Sequence, residues 1–328
     1  MTPVRWGILG AAGINAAMAP AIVAAGNAEL VAIASRTAAR ADEAAARYGA
    51  RRAIEGYDAL LADPEIEAVY IPLPNAFHHE WVLRAIAAGK HVLCEKPMTI
   101  TGADAREMAD AASAAGLLLA EAFMYAHHPR YARIRELIAT GEIGTVRTIL
   151  TTFSFDASGE LDHSGFQGLP GSGAVYDVGC YAVHSARALL GAEPTAVTAT
   201  ASVSALHGDI DMATSALVEF GTATLLFHVD MAATDTDVIE IIGTAGRIVV
   251  PHAFICAPED GDFLVETARG SRTETADVVD HYRLQTERFS AAVRGGAELL
   301  FPPADAVRNA AVLDAVTRSW QQKVRVPL

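Results

Sequence analysis

The chain has 328 residues, 52% hydrophobic and 20% charged, enough for two domains with substantial cores. Its 25 basic and 39 acidic residues give a net charge of -14, which opposes phosphate backbones and anionic lipid, so no nucleic-acid or membrane partner is expected. No apolar run reaches the roughly 18 to 20 residues that span a bilayer, and no stretch has the pattern of a cleaved leader, so a cytoplasmic protein is expected.

Short apolar runs at 4–9, 30–34, 68–71, 91–93 and 117–120 have the continuous pattern of strands covered on both faces. Helical stretches at 14–25, 40–48, 57–62, 78–88 and 104–115 alternate with them, which predicts a doubly wound parallel βαβ domain. From about Val146 the pattern becomes β-rich, with runs at 146–155, 196–202, 215–220, 223–230, 238–242, 247–250 and 263–267, and a hairpin turn at 243–246. Helices are expected over 129–139, 174–190, 281–294 and 304–320. Cys94, Cys180 and Cys256 are far apart in apolar surroundings and read as buried thiols. His78-His79 and His127-His128 have no cysteine or carboxylate at ligand spacing along the chain, so no metal is expected.

The first turn, Gly7-Ile8-Leu9-Gly10-Ala11-Ala12-Gly13-Ile14-Asn15, joins a strand to a helix, with Gly10 at the tight turn and backbone N–H groups at the helix start facing a pyrophosphate. Ala12 stands where the dinucleotide fingerprint has its second glycine and Asn15 at its third position, so a plain β-α turn is the other reading of these residues. The second strand ends Ala34-Ser35-Arg36-Thr37, with Arg40 a helical turn on, where a site for NAD usually has Asp or Glu on the ribose hydroxyls. Ser35, Arg36 and Arg40 suit a 2′-phosphate and put NADP ahead of NAD; a solvated arginine at a helix start would leave NAD open.

Glu95-Lys96-Pro97 follows the buried run 91–94, which places Lys96 at the carboxyl end of a strand, where ligands bind in an open α/β sheet. In the 174–190 helix, Asp177, Tyr181 and His184 are spaced four and three apart and share a face. Gly171-Ser172-Gly173 leads into that helix, and Gly179 leaves room beside it. The alternative is a core tyrosine with an ordinary capping or salt-bridged aspartate.

Five motifs in order, Gly10-Ala11-Ala12-Gly13-Ile14, Pro72-Leu73-Pro74-Asn75 with His78, Glu95-Lys96-Pro97, Glu121-Ala122-Phe123-Met124-Tyr125 and Gly173-Ala174-Val175-Tyr176-Asp177-Val178-Gly179-Cys180-Tyr181, resemble the glucose-fructose oxidoreductase, inositol dehydrogenase and MocA family. Within it the pattern is similar to the branch of NADP-dependent D-xylose dehydrogenases and dimeric dihydrodiol dehydrogenases. The resemblance implies an α/β protein with an N-terminal Rossmann domain (1–123) and a C-terminal α/β domain on a large, mostly antiparallel sheet (124–328) that binds substrate and forms a homo-oligomer, a dimer or tetramer. It implies that Gly10, Ala12, Gly13, Ile14, Ser35, Arg36 and Arg40 hold the nucleotide. Pro72, Leu73, Pro74, Asn75, His78, Glu95, Lys96 and Pro97 would line its ribose and nicotinamide, with a cis peptide before Pro97; Asn75 would equally serve as a helix N-cap.

With Lys96 favouring phenolate, Tyr181 would be the acid/base, while Asp177 orients substrate hydroxyls or the lysine. Substrate contacts would come from Lys96, Asp177, Tyr181, His184 and Phe166. Inositol-dehydrogenase-like members carry histidine at the position of Tyr181, so tyrosine points to the sugar and dihydrodiol branch. The family often has arginine where this chain has Ala126, and a basic residue in the loop spanning 156–167, which here has neither arginine nor lysine. The activity expected is NADP-dependent hydride transfer at a sugar or polyol carbon, with aldose C1 oxidation to a lactone. The rival readings are a keto-sugar reductase, a trans-dihydrodiol dehydrogenase with an apolar pocket around Phe166 and Phe123, and an inactive NADP-binding regulator. His281 and Tyr282 read first as an ordinary amphipathic helix start, with a reach into the cleft as the other reading.

Overall fold

The computed structural model describes residues 2–157 and 168–328. They form two compact units, residues 1–127 with 280–307, and residues 128–279 with 308–328. The expected division at 123/124 therefore differs from the compact units, because a later segment returns to the first of them. Among the described residues, no helix is long and apolar enough to cross a membrane.

The first unit is built on strands β1 (Val4–Leu9), β2 (Ala28–Ser35), β3 (Arg52–Glu55), β4 (Ala68–Ile71), β5 (His91–Cys94) and β6 (Leu119–Glu121). They pair in parallel in the order β3-β2-β1-β4-β5-β6, that of a doubly wound nucleotide-binding sheet. Helices α1 (Asn15–Ala24), α2 (Ala38–Tyr48), α3 (Tyr57–Leu61), α4 (His78–Ala87) and α5 (Gly102–Ala115) connect them. Strand β3 went unseen in the sequence because only two of its four residues are apolar, and both are half-buried on a sheet edge. Sharp stops are supplied where the chain reverses: Gly49 and Gly116 end α2 and α5 in the left-handed conformation, and Thr101 Oγ1 accepts from the Asp104 N–H at 3.1 Å to start α5.

Helix α8 (His281–Val293) belongs to this unit through its packing. Trp6 donates to Ser290 Oγ at 3.0 Å and packs at a tilt against Phe289 at 5.2 Å, and Asn27 donates to the Glu287 carbonyl at 2.7 Å. Trp6 and Phe289 lie in one buried cluster with Ile8, Met18, Ile33, Tyr70 and Leu93.

The second unit carries a sheet of β7 (Val146–Asp156), β8 (Ala196–Ser204), β9 (Ile210–Phe220), β10 (Ala223–Asp230), β11 (Ala232–Gly243), β12 (Gly246–Pro251), β13 (Phe263–Thr267), β14 (Gly270–Glu274) and β15 (Val326–Pro327), in the order β14-β13-β12-β11-β7-β10-β9-β8-β15. All of its pairs are antiparallel except β7 with β10. Helix α6 spans Pro129–Ala139, a π-helical turn over Val175–Gly179 leads into α7 (Cys180–Leu190), and α9 spans Pro303–Gln322, of which the part from Arg308 on belongs to this unit. The 174–190 segment expected as one α-helix thus starts with a wider turn.

Alternation along β10 buries Ala223, Leu225, Phe227 and Val229, and Gly179 lies against Val229 and Phe227. The opposite face presents Leu226, which pairs with Leu150 of β7 on one side and Leu217 of β9 on the other. Cys94 and Cys180 are buried as expected, but Cys256 is half-exposed.

Candidate active site

In the first unit, the carboxyl ends of β1, β2, β4 and β5 carry the turns singled out in the sequence. Gly10 follows β1 with φ +134, and a Cβ there would lie 3.2 Å from Leu73 and near Pro72, so only glycine lets the first turn and the loop after β4 approach. Helix α1 starts at Asn15 with no side-chain cap and no acidic residue in its first turn, while a Cβ on Gly13 would meet nothing within 4 Å. Uncapped N–H groups and the helix dipole there suit an anion. The buried Asn15 donates to the Gly10 carbonyl at 2.7 Å, and its Oδ1 has no partner.

At the end of β2, Ser35 is buried and Arg36 and Arg40 are exposed. Arg40 reaches the Ala11 carbonyl at 3.4 Å, which brings it to the glycine turn. Tyr57, after β3, feels the positive charge of both arginines, although burial dominates and raises its phenol. No carboxylate among the described residues is ion-paired with Arg36; the sheet register does put the exposed Glu55 beside Ser35. This donor set, two cations beside an uncapped helix start, fits the phosphates of NADP.

At the end of β5, the Lys96-Pro97 peptide is cis. Its surroundings are fixed from several sides. Tyr70, buried in β4, donates to Glu95 Oε1 at 2.5 Å, and Glu95 Oε2 accepts from the Lys96 N–H at 3.1 Å. Glu121 accepts from the Met98 N–H at 2.7 Å.

His78 is fully buried, with Nδ1 2.9 Å from the Pro97 carbonyl and Nε2 2.7 Å from the Leu73 carbonyl. Both ring nitrogens are thereby engaged, so His78 pins the loop after β4 to the loop after β5. Burial holds its pKa below the ordinary value, against the two carbonyls, with Lys96 adding to the depression. Asn75 opens a 3-10 turn over Asn75–Phe77 and does not sit at the N-cap of α4, which is Phe77.

Tyr282, at the start of α8, is a neighbour of Glu95 and Lys96, where the sequence favoured an ordinary helix start over a residue of the cleft. Burial pushes its phenol well above the ordinary value, with Glu95 raising it and Lys96 lowering it, so it lies within electrostatic reach of both. Nothing in a span of nearly 190 residues signals that contact; it follows from α8 packing on the first unit. Likewise His79 of α4 meets Asp104 and Glu107 of α5, with ligand atoms all within 4.8 Å, a grouping invisible as linear spacing. His79 is already paired with Glu107 at 2.9 Å on the surface.

In the second unit, Asp177 is half-exposed in the π-helical turn, while Tyr181 and His184 on α7 are 3% and 1% exposed. The Tyr181 ring packs against Phe153 at 5.6 Å and Phe254 at 5.1 Å, and those two stack at 5.3 Å. A phenol so held has a fixed direction for its hydroxyl. Phe166 lies outside the described residues.

Residues 4–123 match a family model described as the oxidoreductase family with an NAD-binding Rossmann fold, and residues 131–249 match the GFO/IDH/MocA C-terminal domain. A D-xylose 1-dehydrogenase (NADP(+)) of Haloferax volcanii is 37% identical, covering 99% of this chain and 100% of its own. A dTDP-3,4-didehydro-2,6-dideoxy-alpha-D-glucose 3-reductase of Actinomadura kijaniata is 33% identical, over 96% of this chain and 95% of its own. A crystal structure of a 3-ketoreductase from Actinomadura kijaniata, in complex with NADP and TDP-benzene, superposes with a TM-score of 0.90 at 31% identity, covering 97% of this chain and 98% of that one.

Proposed function

This chain belongs to the GFO/IDH/MocA family of oxidoreductases, and from that membership we propose that it is an NADP-dependent enzyme transferring hydride at a sugar carbon, oxidising C1 of an aldose to the lactone. The observation that carries this reading is the gathering of Lys96, the Pro72-Leu73 loop and the Gly10 turn at the carboxyl edge of one sheet, with Arg36 and Arg40 beside them. Full-length similarity to the NADP-dependent xylose dehydrogenase supports the substrate class.

Bound NADP supplies the hydride acceptor. In our reading Tyr181, as phenolate, takes the proton from the C1 hydroxyl as the C1–H electron pair leaves, and the phenol so formed releases that proton to water. Lys96 stabilises the negative charge that develops on that oxygen, and Asp177 accepts hydrogen bonds from neighbouring hydroxyls. Gly10, Ala12, Gly13 and Ile14 receive the pyrophosphate, Ser35, Arg36 and Arg40 the 2′-phosphate, and Pro72 to Asn75 with Glu95 and Pro97 border the ribose and nicotinamide. Residues 1–123 then act as the nucleotide-binding part and 124–328 as the substrate-binding part. The leucine row Leu150, Leu226 and Leu217 supports a homo-oligomer formed through the sheet face, with Leu217 38% and Leu226 40% exposed. NADP-coupled sugar chemistry supports a cytoplasmic location.

A second reading, keto-sugar reduction, is favoured by the 3-reductase relatives. Segment 156–167 has no arginine or lysine for a nucleotide-linked sugar, which puts free aldoses first. An NADP-coupled screen of aldoses, free keto-sugars and dTDP-keto-sugars tests the choice. Turnover of aldoses is expected; turnover of the dTDP-keto-sugars alone would replace this reading by the second.

A further inference from the structure

Asp211, on β9, is 4% exposed, and a single oxygen of its carboxylate accepts from the Val175 N–H at 2.9 Å and the Thr214 hydroxyl at 2.8 Å. Val175 is the first residue of the π-helical turn that carries Asp177 and runs into α7. The other carboxylate oxygen lies where residue 173 would place a side chain: a Cβ on Gly173, whose φ is +106, would sit 2.1 Å from it. Gly173 and Asp211 are therefore interlocked, and the entry to the turn is shaped around the carboxylate. A π-helical turn spreads its residues more widely than an α-helix and is found frequently at functional sites.

We propose that Asp211 is a positioning residue, which as a carboxylate holds the π-helical turn so that Asp177 and Tyr181 keep their working directions. This rests on the reading of that helix as catalytic. Burial raises the Asp211 carboxyl from its ordinary 3.8 to about 6, against the lowering effect of Thr214 and Val175. Of the titratable groups on the elements next to it, Tyr176 and Asp177 lie on the turn, His207 and Asp209 precede β9 in the chain, and Asp230 of β10 pairs in register with Ala213. Of these, the Tyr176 phenol feels the Asp211 charge and is raised chiefly by burial. A rate that needs the carboxylate falls on the acid side of pH 6. Stability runs the other way: the folded pKa lies above the unfolded one, so the stabilisation present below 3.8 is lost as pH rises to about 6.

The test compares the wild type with Asp211→Asn, Thr214→Val and Tyr181→Phe in full-length protein, reading kcat against pH, NADPH affinity by fluorescence and melting temperature. Asp211→Asn is expected to lower kcat about tenfold at pH 8, to lose the acid limb near pH 6 and to leave NADPH affinity unchanged. Its melting temperature relative to wild type should rise between pH 5 and pH 8, because the buried charge is gone. Thr214→Val removes a donor to the carboxylate and moves the acid limb to higher pH. A wild-type acid limb retained in Asp211→Asn, or a Thr214→Val profile superimposed on wild type, overturns the proposal. Full activity in Tyr181→Phe overturns instead the catalytic reading on which it rests.

Discussion

His78 ties Leu73 to Pro97: its two ring nitrogens sit 2.7 and 2.9 Å from their carbonyl oxygens, so one buried side chain fixes two loops of the nucleotide edge. A neutral imidazole donates through one nitrogen only. Replacing His78 by Phe is expected to cost about 1–3 kcal/mol, the penalty for a buried carbonyl that loses its donor. NADPH affinity should weaken as the loops loosen. The sign with pH is set by the lowered pKa: below the ordinary 6.5 the unfolded chain takes up a proton that the folded one resists, so stability falls with acid. Urea titrations from pH 7.5 to 5.5 should show this acid-side loss in wild type and a smaller one in His78→Phe. Equal slopes would mean that His78 does not titrate differently on folding.

Tyr70→Phe removes the hydroxyl that holds Glu95 Oε1. We expect a loss of about 1.5–3 kcal/mol in denaturant stability, typical for a hydrogen bond to a charged group. A lower kcat should accompany it, since Glu95 also accepts from the Lys96 N–H. Unchanged kinetics would show that Lys96 is positioned without Glu95.

Arg36→Ala is expected to weaken NADPH binding about 10- to 100-fold, the worth of a charge-assisted contact, while NADH binding changes little. Parallel fluorescence titrations give the comparison. Equal weakening for both nucleotides would move Arg36 from the 2′-phosphate to the adenine face.

Lys96→Met and Tyr181→Phe are expected each to lower kcat at least about 100-fold, in the range of a lost general acid/base. The Phe variant retains the packing against Phe153 and Phe254, so its melting temperature should stay near wild type. Melting curves and NADPH titrations distinguish this from collapse of the site.

The parts of this molecule readable in its sequence are those where one apolar pattern decides the outcome. Strands β1, β4, β10 and β13 and helix α6 lie where the runs put them, because each is buried on a predictable face. Strands β3, β14 and β15 escaped, being edge or near-edge segments with charged or very short sequences. Motifs reporting backbone needs were also legible: Gly10 at its positive φ and Lys96 at the end of β5. What stayed hidden depends on contacts between distant segments. Asp211 at the π-helical turn and the burial of His78 carry no periodic or spacing signal. The π-helical turn itself could not be distinguished from an α-helix, since both keep Asp177 and Tyr181 near one side.

The central claim is hydride transfer from a sugar C1 to NADP, and its most direct measurement follows isotope from one to the other. The enzyme is incubated with an aldose deuterated at C1 and NADP, and the recovered nucleotide is weighed by mass spectrometry. Deuterium on the nicotinamide, with little or none when NAD replaces NADP, is the predicted result. Reduced nucleotide without deuterium, or no reduction with any aldose, would contradict it.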